Sequence, residues 1–279
     1  RQMNRLLQGD VGSGKTLVAL MSMLIALDNG FQACMMAPTE ILAAQHYETI
    51  RKFLFGMNVR VELLMGSVKG KKREKILKDL LTGDIQILIG THAVLEDTVG
   101  FSSLGMVVID EQHRFGVAQR AKLWMKNTCP PHVLVMTATP IPRTLQFSLM
   151  GARDLSVIQT FPPNRYPIQT EVHTFNEEII SEAINFEMSR NGQVFFVNNR
   201  IQNLVELKAM ILRNIPDCRV CIGHGQMQPE ELEKIIFDFV NYDYDVLLAT
   251  TIIESGIDIP NANTIIINQA QNFGLSDLH

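Results

Sequence analysis

Residues 9–16 read Gly-Asp-Val-Gly-Ser-Gly-Lys-Thr and match the pattern G-x-x-x-x-G-K-[ST] at every fixed position. Glycines at these positions let the backbone curl so that its N–H groups point at phosphate oxygens, and a helix that begins there adds its positive N-terminal dipole. Lys15 is placed to reach the β- and γ-phosphates of a nucleotide, and the Thr16 hydroxyl to ligate Mg²⁺. The expected nucleotide-binding residues are Gly9, Asp10, Gly12, Ser13, Gly14, Lys15 and Thr16.

A second motif lies at residues 106–113, which read Met-Val-Val-Ile-Asp-Glu-Gln-His. An apolar strand that ends in an acid places Asp110 to hold Mg²⁺, and Glu111 to polarise a water for attack on the γ-phosphate. We expect Gln112 and His113 to sense the nucleotide. This motif and the amphipathic helix after Thr16 argue against a chance glycine-rich turn at residues 9–16. The expected catalytic residues are Lys15, Asp110, Glu111 and His113, with Thr16 and Asp110 on the metal ion.

Short apolar runs alternate with amphipathic helical stretches along the whole chain. The runs predict strands at residues 33–36, 59–64, 85–89, 106–109, 133–136, 194–197, 219–222, 245–249 and 264–267. The amphipathic stretches predict helices at residues 16–27, 41–55, 71–81, 177–190, 203–214 and 230–239. Continuous Val/Ile/Leu strands separated by helices are typical of parallel sheets covered on both faces, so the expected fold class is α/β.

The chain changes character between its two halves. Residues 161–167 read Phe-Pro-Pro-Asn-Arg-Tyr-Pro, where neither a helix nor a central strand can continue. Residues 1–150 carry 17 Lys/Arg against 12 Asp/Glu, whereas residues 151–279 carry 8 against 17. We therefore expect two lobes, residues 1–150 and 171–279, joined by a linker at residues 151–170, with a ligand cleft between them.

The remaining composition excludes several classes of protein. With 46% hydrophobic and 19% charged residues, the chain is globular rather than disordered. Its longest apolar run, residues 17–27, is too short to cross a bilayer, and no leader opens the chain, so we expect a soluble, cytoplasmic fragment of a longer protein. A basic cluster at residues 69–78 is either a solvated helix face or a phosphate contact.

Cys218 and Cys221 have the spacing of half a zinc site. Their surroundings predict a strand, on which residues three apart face opposite sides. Buried thiols are therefore the preferred interpretation.

Asp110-Glu111-Gln112-His113 after a phosphate-binding lobe resembles the superfamily 2 helicases and translocases. Four further segments resemble ordered motifs of that superfamily: residues 37–40 (Ala-Pro-Thr-Glu), 90–92 (Gly-Thr-His), 137–139 (Thr-Ala-Thr) and 250–260 (Thr-Thr-Ile-Ile-Glu-Ser-Gly-Ile-Asp-Ile-Pro). The resemblance covers essentially the whole chain and implies two RecA-like lobes with ATP and Mg²⁺ as cofactors. It also implies DNA contacts at Pro38, Thr39, Thr91, His92 and Thr250, coupling through Gln112, Thr137 and Thr139, and nucleotide contacts at Gly256 and Asp258.

Two families within this superfamily share longer segments with the chain. Residues 5–16 and 109–117 are similar to the RecG family of branch-migration helicases, and residues 137–145 are shared by both families. Residues 150–158, 222–227 and 272–275 look more like the transcription-repair coupling factor (Mfd) family. The resemblance implies a monomeric, ATP-driven translocase on double-stranded or branched DNA in repair and recombination. RNA polymerase would be engaged only through domains outside this chain.

The remaining expectations concern ATP hydrolysis and three further residues. In the superfamily an arginine-bearing motif VI follows Phe-Gly-Leu-x-x-Leu-His, where this chain stops at His279, so weak or absent ATP hydrolysis is expected of the fragment alone. His46 and His92 are assigned to motifs rather than to a metal site, and Arg143 to a structural or lobe-coupling role.

Two alternatives stay open. An RNA helicase is compatible with Asp-Glu-x-His, although residues 137–144 argue against it. The other alternative is a binding module that switches with the bound nucleotide and does not hydrolyse it. Against this alternative stands the joint presence of Lys15, Thr16, Asp110 and Glu111.

Overall fold

The computed structural model describes residues 2–111, 130–138, 154–160, 168–250 and 259–273. The chain divides into two compact units, Arg1–Tyr166 and Pro167–His279. Each unit is built on a parallel sheet flanked by helices, which confirms the expected α/β fold class.

Seven parallel strands form the sheet of the first unit within the described residues. In chain order they are β1 (Asn4–Gly9), β2 (Gln32–Met36), β3 (Val61–Leu64), β4 (Ile87–Gly90), β5 (Leu104–Asp110), β6 (His132–Thr137) and β7 (Asp154–Ile158). The spatial order is β3-β4-β2-β5-β6-β1-β7. The helices are α1 (Lys15–Asp28), α2 (Glu40–Phe53) and α3 (Gly70–Thr82).

The core of the first unit lies around its central strands. Every residue of β2 and β4 is buried, as expected of parallel strands that are covered on both faces. The strands β2, β4 and β5 are therefore the rigid elements whose carboxyl ends carry the loops of interest.

The second unit has four described strands, all parallel, in the order β11-β8-β10-β9. They are β8 (Gln193–Asn198), β9 (Val220–Gly223), β10 (Val246–Ala249) and β11 (Ala262–Asn268), and the helices are α4 (Glu177–Ser189), α5 (Leu204–Asn214) and α6 (Pro229–Val240). One face of the sheet buries Phe196 and Leu248, and the other buries Phe195 and Leu247 against Phe239.

The predicted buried thiols in this unit are confirmed. Cys218 and Cys221 belong to the two different core clusters, on opposite faces of the sheet. Burial raises the pKa of each thiol to about 12.

All six predicted helices and all nine predicted strands are present, with ends displaced by up to two residues. Two strands were not predicted from the sequence. The strand β1 has only Leu6 and Leu7 as apolar residues, so its pattern is weak. The edge strand β7 lies within the stretch assigned to the linker and pairs with β1.

Two buried glutamines hold corresponding places in the units. Gln32 at the start of β2 donates its side-chain amide to the carbonyls of Leu80, at 2.9 Å, and Ile85, at 2.7 Å. Gln193 at the start of β8 donates likewise to Phe239 and Tyr244, both at 2.7 Å. Each glutamine thus joins a helix to the chain just before the next strand.

No helix within the described ranges is long and apolar enough to cross a membrane.

Candidate nucleotide-binding site

The loop between β1 and α1 has the backbone conformation that its glycines permit. Gly12 and Gly14 have φ values of 77° and 90°, in the left-handed region that side chains with a Cβ rarely adopt. The Ser13 N–H donates to the Asp10 carbonyl at 3.1 Å, which closes the turn. Gly14 then serves as the N-cap of α1, and its carbonyl accepts from the Leu17 N–H at 3.0 Å and from the Val18 N–H at 3.1 Å. The loop is therefore shaped to surround an anion.

Lys15 folds back over this loop. Its Nζ donates to the carbonyls of Gly9 and Asp10, both at 2.8 Å. Burial lowers the pKa of its ammonium below the ordinary 10.5, while the negative charges of Asp110 and Glu111 act in the opposite direction. Lys15 is thus a partly desolvated cation, and a phosphate oxygen bound beside it would stabilise its charged form.

Asp110 and Glu111 lie at the carboxyl end of β5, next to β6. Asp110 is buried, and its Oδ2 accepts a hydrogen bond from His46 Nε2 at 2.8 Å. Glu111 has a φ of 47°, an uncommon conformation for a residue other than glycine and one that recurs at functional sites. Its N–H donates to the Met136 carbonyl at 3.0 Å, which holds the turn in place.

The Glu111 carboxylate contacts the end of β6. It accepts hydrogen bonds from Thr137 Oγ1 at 3.2 Å and from the Ala138 N–H at 2.9 Å. The structure thus brings a predicted catalytic residue into contact with a predicted coupling residue.

The residues present fit a nucleotide with Mg²⁺. Ser13 Oγ is buried in the loop and has no hydrogen-bond partner within the described residues, so an acceptor such as a phosphate oxygen would satisfy it. Thr16 lies in the first turn of α1, and carboxylate and hydroxyl oxygens are ligands that suit Mg²⁺. The assignment of Thr16 and Asp110 to the metal ion stays a prediction.

Three loops share the carboxyl edge of the first sheet, because β3, β4 and β2 are adjacent and parallel. Pro38 and Thr39 follow β2, and Thr39 Oγ1 caps α2 by accepting from the Leu42 N–H at 3.4 Å. Thr91 and His92 follow β4. Thr91 Oγ1 is buried and lacks a hydrogen-bond partner among the described residues.

The third loop, after β3, is joined to the first. The Glu40 carboxylate accepts from the Ser67 N–H at 3.1 Å and from Ser67 Oγ at 2.9 Å. A Cβ at Gly90 would overlap with the Leu64 carbonyl oxygen, so this glycine permits the close approach of β3 and β4. The four predicted DNA-contacting residues of the first unit therefore lie along one edge.

The basic cluster of residues 69–78 spans the start of α3, directly after this loop. Arg73 pairs with Glu96 at 2.7 Å, and the lysines at 69, 71, 72, 75 and 78 are exposed. Both interpretations of the cluster, a solvated face and a phosphate contact, remain compatible with this arrangement.

Thr250, the fifth predicted DNA contact, belongs to the second unit. It follows β10, and its N–H donates to the Gly223 carbonyl at 3.3 Å. Several predicted site residues lie outside the described residues: Gln112, His113, Thr139, Gly256 and Asp258, as does Arg143.

His46 was not predicted to belong to the site. It lies on α2, 64 residues before Asp110 in the sequence, and no local pattern connects the two. The only available signal was its place on the helix that follows the Ala-Pro-Thr-Glu segment.

Family comparisons match both units. The sequence model of DEAD/DEAH box helicases matches residues 1–147, and that of the helicase conserved C-terminal domain matches residues 175–279. The transcription-repair-coupling factor of Staphylococcus epidermidis is 44% identical over 281 residues, and that of Staphylococcus aureus strain USA300 is 43% identical over 280. Both matches cover 100% of this chain and 24% of the relative, so the chain spans about a quarter of their length.

Solved structures give the same grouping. The structure of RecG bound to a three-way DNA junction has a TM-score of 0.86 and 38% identity, and covers 100% of this chain and 37% of that one. Dbp5 of S. cerevisiae, bound to RNA and ADP BeF3, has a TM-score of 0.65 over 94% of this chain and 69% of that one. At 19% identity, Dbp5 shows a shared fold alone.

The RecG and transcription-repair-coupling likenesses each extend over the whole chain, so features of both occur side by side. The DEAD/DEAH box match covers more than half of the 279 residues. The chain therefore belongs to the DEAD/DEAH box helicases, a family of superfamily 2 whose domains bind and hydrolyse ATP.

Proposed function

We propose that this chain is the ATP-driven motor core of a cytoplasmic double-stranded DNA translocase that acts in DNA repair. The observation that carries the proposal is the convergence of Lys15, Asp110 and Glu111, with Glu111 bonded to Thr137 and Ala138. The similarity to transcription-repair-coupling factors, and to the structure of RecG bound to a three-way DNA junction, supports DNA as the nucleic acid along which the motor moves.

The nucleotide would be held mainly by the loop and by Lys15. Backbone N–H groups of the loop and of the first turn of α1 would receive phosphate oxygens. Lys15 Nζ would exchange its two carbonyl acceptors, on Gly9 and Asp10, for phosphate oxygens. Thr16 and Asp110 would hold Mg²⁺, which neutralises charge on the phosphates when bound.

Glu111 would act on the attacking water as a general base. A general base must lie within hydrogen-bond reach of the water that it activates. In the structure the Glu111 carboxylate accepts hydrogen bonds from Thr137 Oγ1 and from the Ala138 N–H. A movement of residues 137–138 would change how Glu111 is held, and thus its readiness to polarise water. In this way Thr137 would couple movement of the chain to ATP hydrolysis. By family resemblance we also propose coupling roles for Gln112 and Thr139, a catalytic role for His113, and nucleotide contacts for Gly256 and Asp258.

Double-stranded or branched DNA would be contacted through its backbone. The predicted contacts are Pro38, Thr39, Thr91 and His92 at the edge of the first sheet, and Thr250 in the second unit. The threonines offer hydroxyl groups, and His92 offers its ring nitrogens. Such groups position phosphates and carry no base readout. RNA polymerase, if it is the load, would be bound through other domains.

The test is single-turnover ATP hydrolysis with protein in excess, which detects even a slow chemical step. The wild-type chain and Lys15→Ala are compared without nucleic acid, with duplex DNA and with single-stranded RNA. We expect hydrolysis that requires Lys15 and rises with duplex DNA. Stimulation by RNA alone would instead favour an RNA helicase. Tight nucleotide binding that duplex DNA does not alter, with no hydrolysis under any condition, would favour a nucleotide switch.

A further inference from the structure

A histidine of the helix α2 contacts the predicted Mg²⁺ ligand. His46 Nε2 lies 2.8 Å from Asp110 Oδ2, and the two side chains are only 13% and 11% exposed. Because an ionised carboxylate only accepts, Nε2 is the donor in this hydrogen bond. One oxygen of Asp110 is therefore engaged by His46, whereas Oδ1 accepts no hydrogen bond from a side chain within the residues that the structure describes.

The helix that carries His46 is firmly placed. Ile41, Leu42, Ala43 and Ile50 of α2 are buried in the core of the first unit. The amino end of the helix is capped by Thr39, so His46 projects from an anchored element. A donor held in this way fixes the rotation of the carboxylate that it contacts, as outer groups commonly do around metal ligands.

We propose that His46 is a positioning residue of the Mg²⁺–nucleotide site, which fixes the orientation of the Asp110 carboxylate that would hold the ion. The proposal rests on the proposed function, since it requires nucleotide and Mg²⁺ at this loop. It extends that function by adding a residue of α2, the helix that begins at the predicted DNA-contacting loop. The same helix thus touches both the nucleic-acid edge and the carboxylate.

Removal of the donor should weaken the contribution of Mg²⁺ and leave the rest of the site intact. Loss of an outer hydrogen bond to a metal ligand typically costs 10–100-fold in metal affinity or activity, so for His46→Ala we expect the Mg²⁺ concentration at half-saturation to rise about tenfold or more. His46→Gln offers an N–H donor at a reach similar to that of Nε2 and should restore most of the loss. Glu48→Ala, on the exposed face of the same helix, is the matched control.

The experiment measures the affinity of a fluorescent ATP analogue by titration, with Mg²⁺ at several concentrations and with EDTA. The expected result is a loss in His46→Ala that appears only with Mg²⁺, rescue in His46→Gln, and no change in Glu48→Ala. Equal Mg²⁺ dependence in wild type and His46→Ala, or an equal loss in EDTA, overturns the positioning role. If the wild-type chain binds the analogue no better than Lys15→Ala does, the proposed function fails first, and this inference with it.

Discussion

At the scale of single residues, the candidate site depends on charges that are held in partly desolvated places. Lys15 is the clearest case, because burial lowers the pKa of its ammonium while three neighbouring acids act against this effect. The same environment makes the ammonium sensitive to a bound phosphate. Nucleotide affinity should therefore report the protonation of Lys15.

We predict that nucleotide affinity is constant while Lys15 is charged in the free protein and falls as the pH rises through its lowered pKa. Above that pKa binding must take up a proton, which weakens affinity by up to about tenfold per pH unit. Titration of a fluorescent ADP from about pH 7 to about pH 10 measures this. Lys15→Arg, which stays charged throughout, should show weaker but nearly pH-independent binding, and an equal slope in that variant would refute the assignment.

The two cysteines of the second unit give a second prediction at this scale. Burial raises the pKa of Cys218 and Cys221 to about 12, so the thiols stay neutral in the folded chain. Unfolded thiols ionise near the ordinary 9.0, so their contribution to stability is present below that pH and is lost as the pH rises towards 12.

In the native state both thiols should resist alkylation at mildly alkaline pH and react quickly in urea. Mass spectrometry resolves each site, and a Cys129→Ser background removes the cysteine outside the described residues. Rapid native labelling of either residue would show that its burial is wrong.

At the scale of elements, the buried carboxylate of Glu187 joins the end of α4 to β11. It accepts hydrogen bonds from Arg190 Nε at 2.8 Å, from Arg190 Nη2 at 2.7 Å and from Thr264 Oγ1. Burial alone would raise the pKa of Glu187, but the bonds from Arg190 and Thr264 outweigh it and lower the pKa below 4.5. Its stabilising contribution is therefore present above about pH 4.5 and is lost as the pH falls through the lowered value.

Arg190→Ala should destabilise the second unit clearly more than Arg213→Ala does, because it leaves the buried Glu187 carboxylate with one hydrogen-bond donor from a side chain, that of Thr264. Arg213→Ala is the matched control, since its pair with Glu177 is exposed on both sides and is expected to contribute little to stability. Urea unfolding followed by circular dichroism measures both. Equal costs for the two variants would contradict the account of Glu187.

Elements with long apolar or amphipathic patterns could be predicted from the sequence. The fully buried strands β2 and β4 contain short apolar runs, and the helices α2 to α6 have one apolar and one polar face. The strand β1 could not be predicted, since its place between β6 and β7 is set by distant partners rather than by its own residues.

The same distinction holds at the site. The loop of residues 9–16 was predictable because its contacts are local. The His46–Asp110 contact and the two buried glutamines were not, because their partners are brought near only by the fold.

At the scale of the whole molecule, two units of opposite charge balance are joined in one chain. The first half has more Lys/Arg than Asp/Glu, 17 against 12, and carries the edge proposed for DNA. Binding to a phosphate backbone releases counterions, so DNA affinity should fall steeply as salt rises. The central claim is that this DNA binding is coupled to the nucleotide at Lys15.

The most direct test of this claim measures the affinity of a labelled DNA duplex by fluorescence anisotropy, with and without a non-hydrolysable ATP analogue and Mg²⁺. Coupling between two sites typically changes affinity by about fivefold or more, so we predict a change of that size in the wild-type chain and none in Lys15→Ala. A single-stranded RNA of equal length serves as the competing track. The motor assignment would be contradicted if the affinity for the duplex were the same with and without the nucleotide, or if the nucleotide changed that affinity equally in Lys15→Ala.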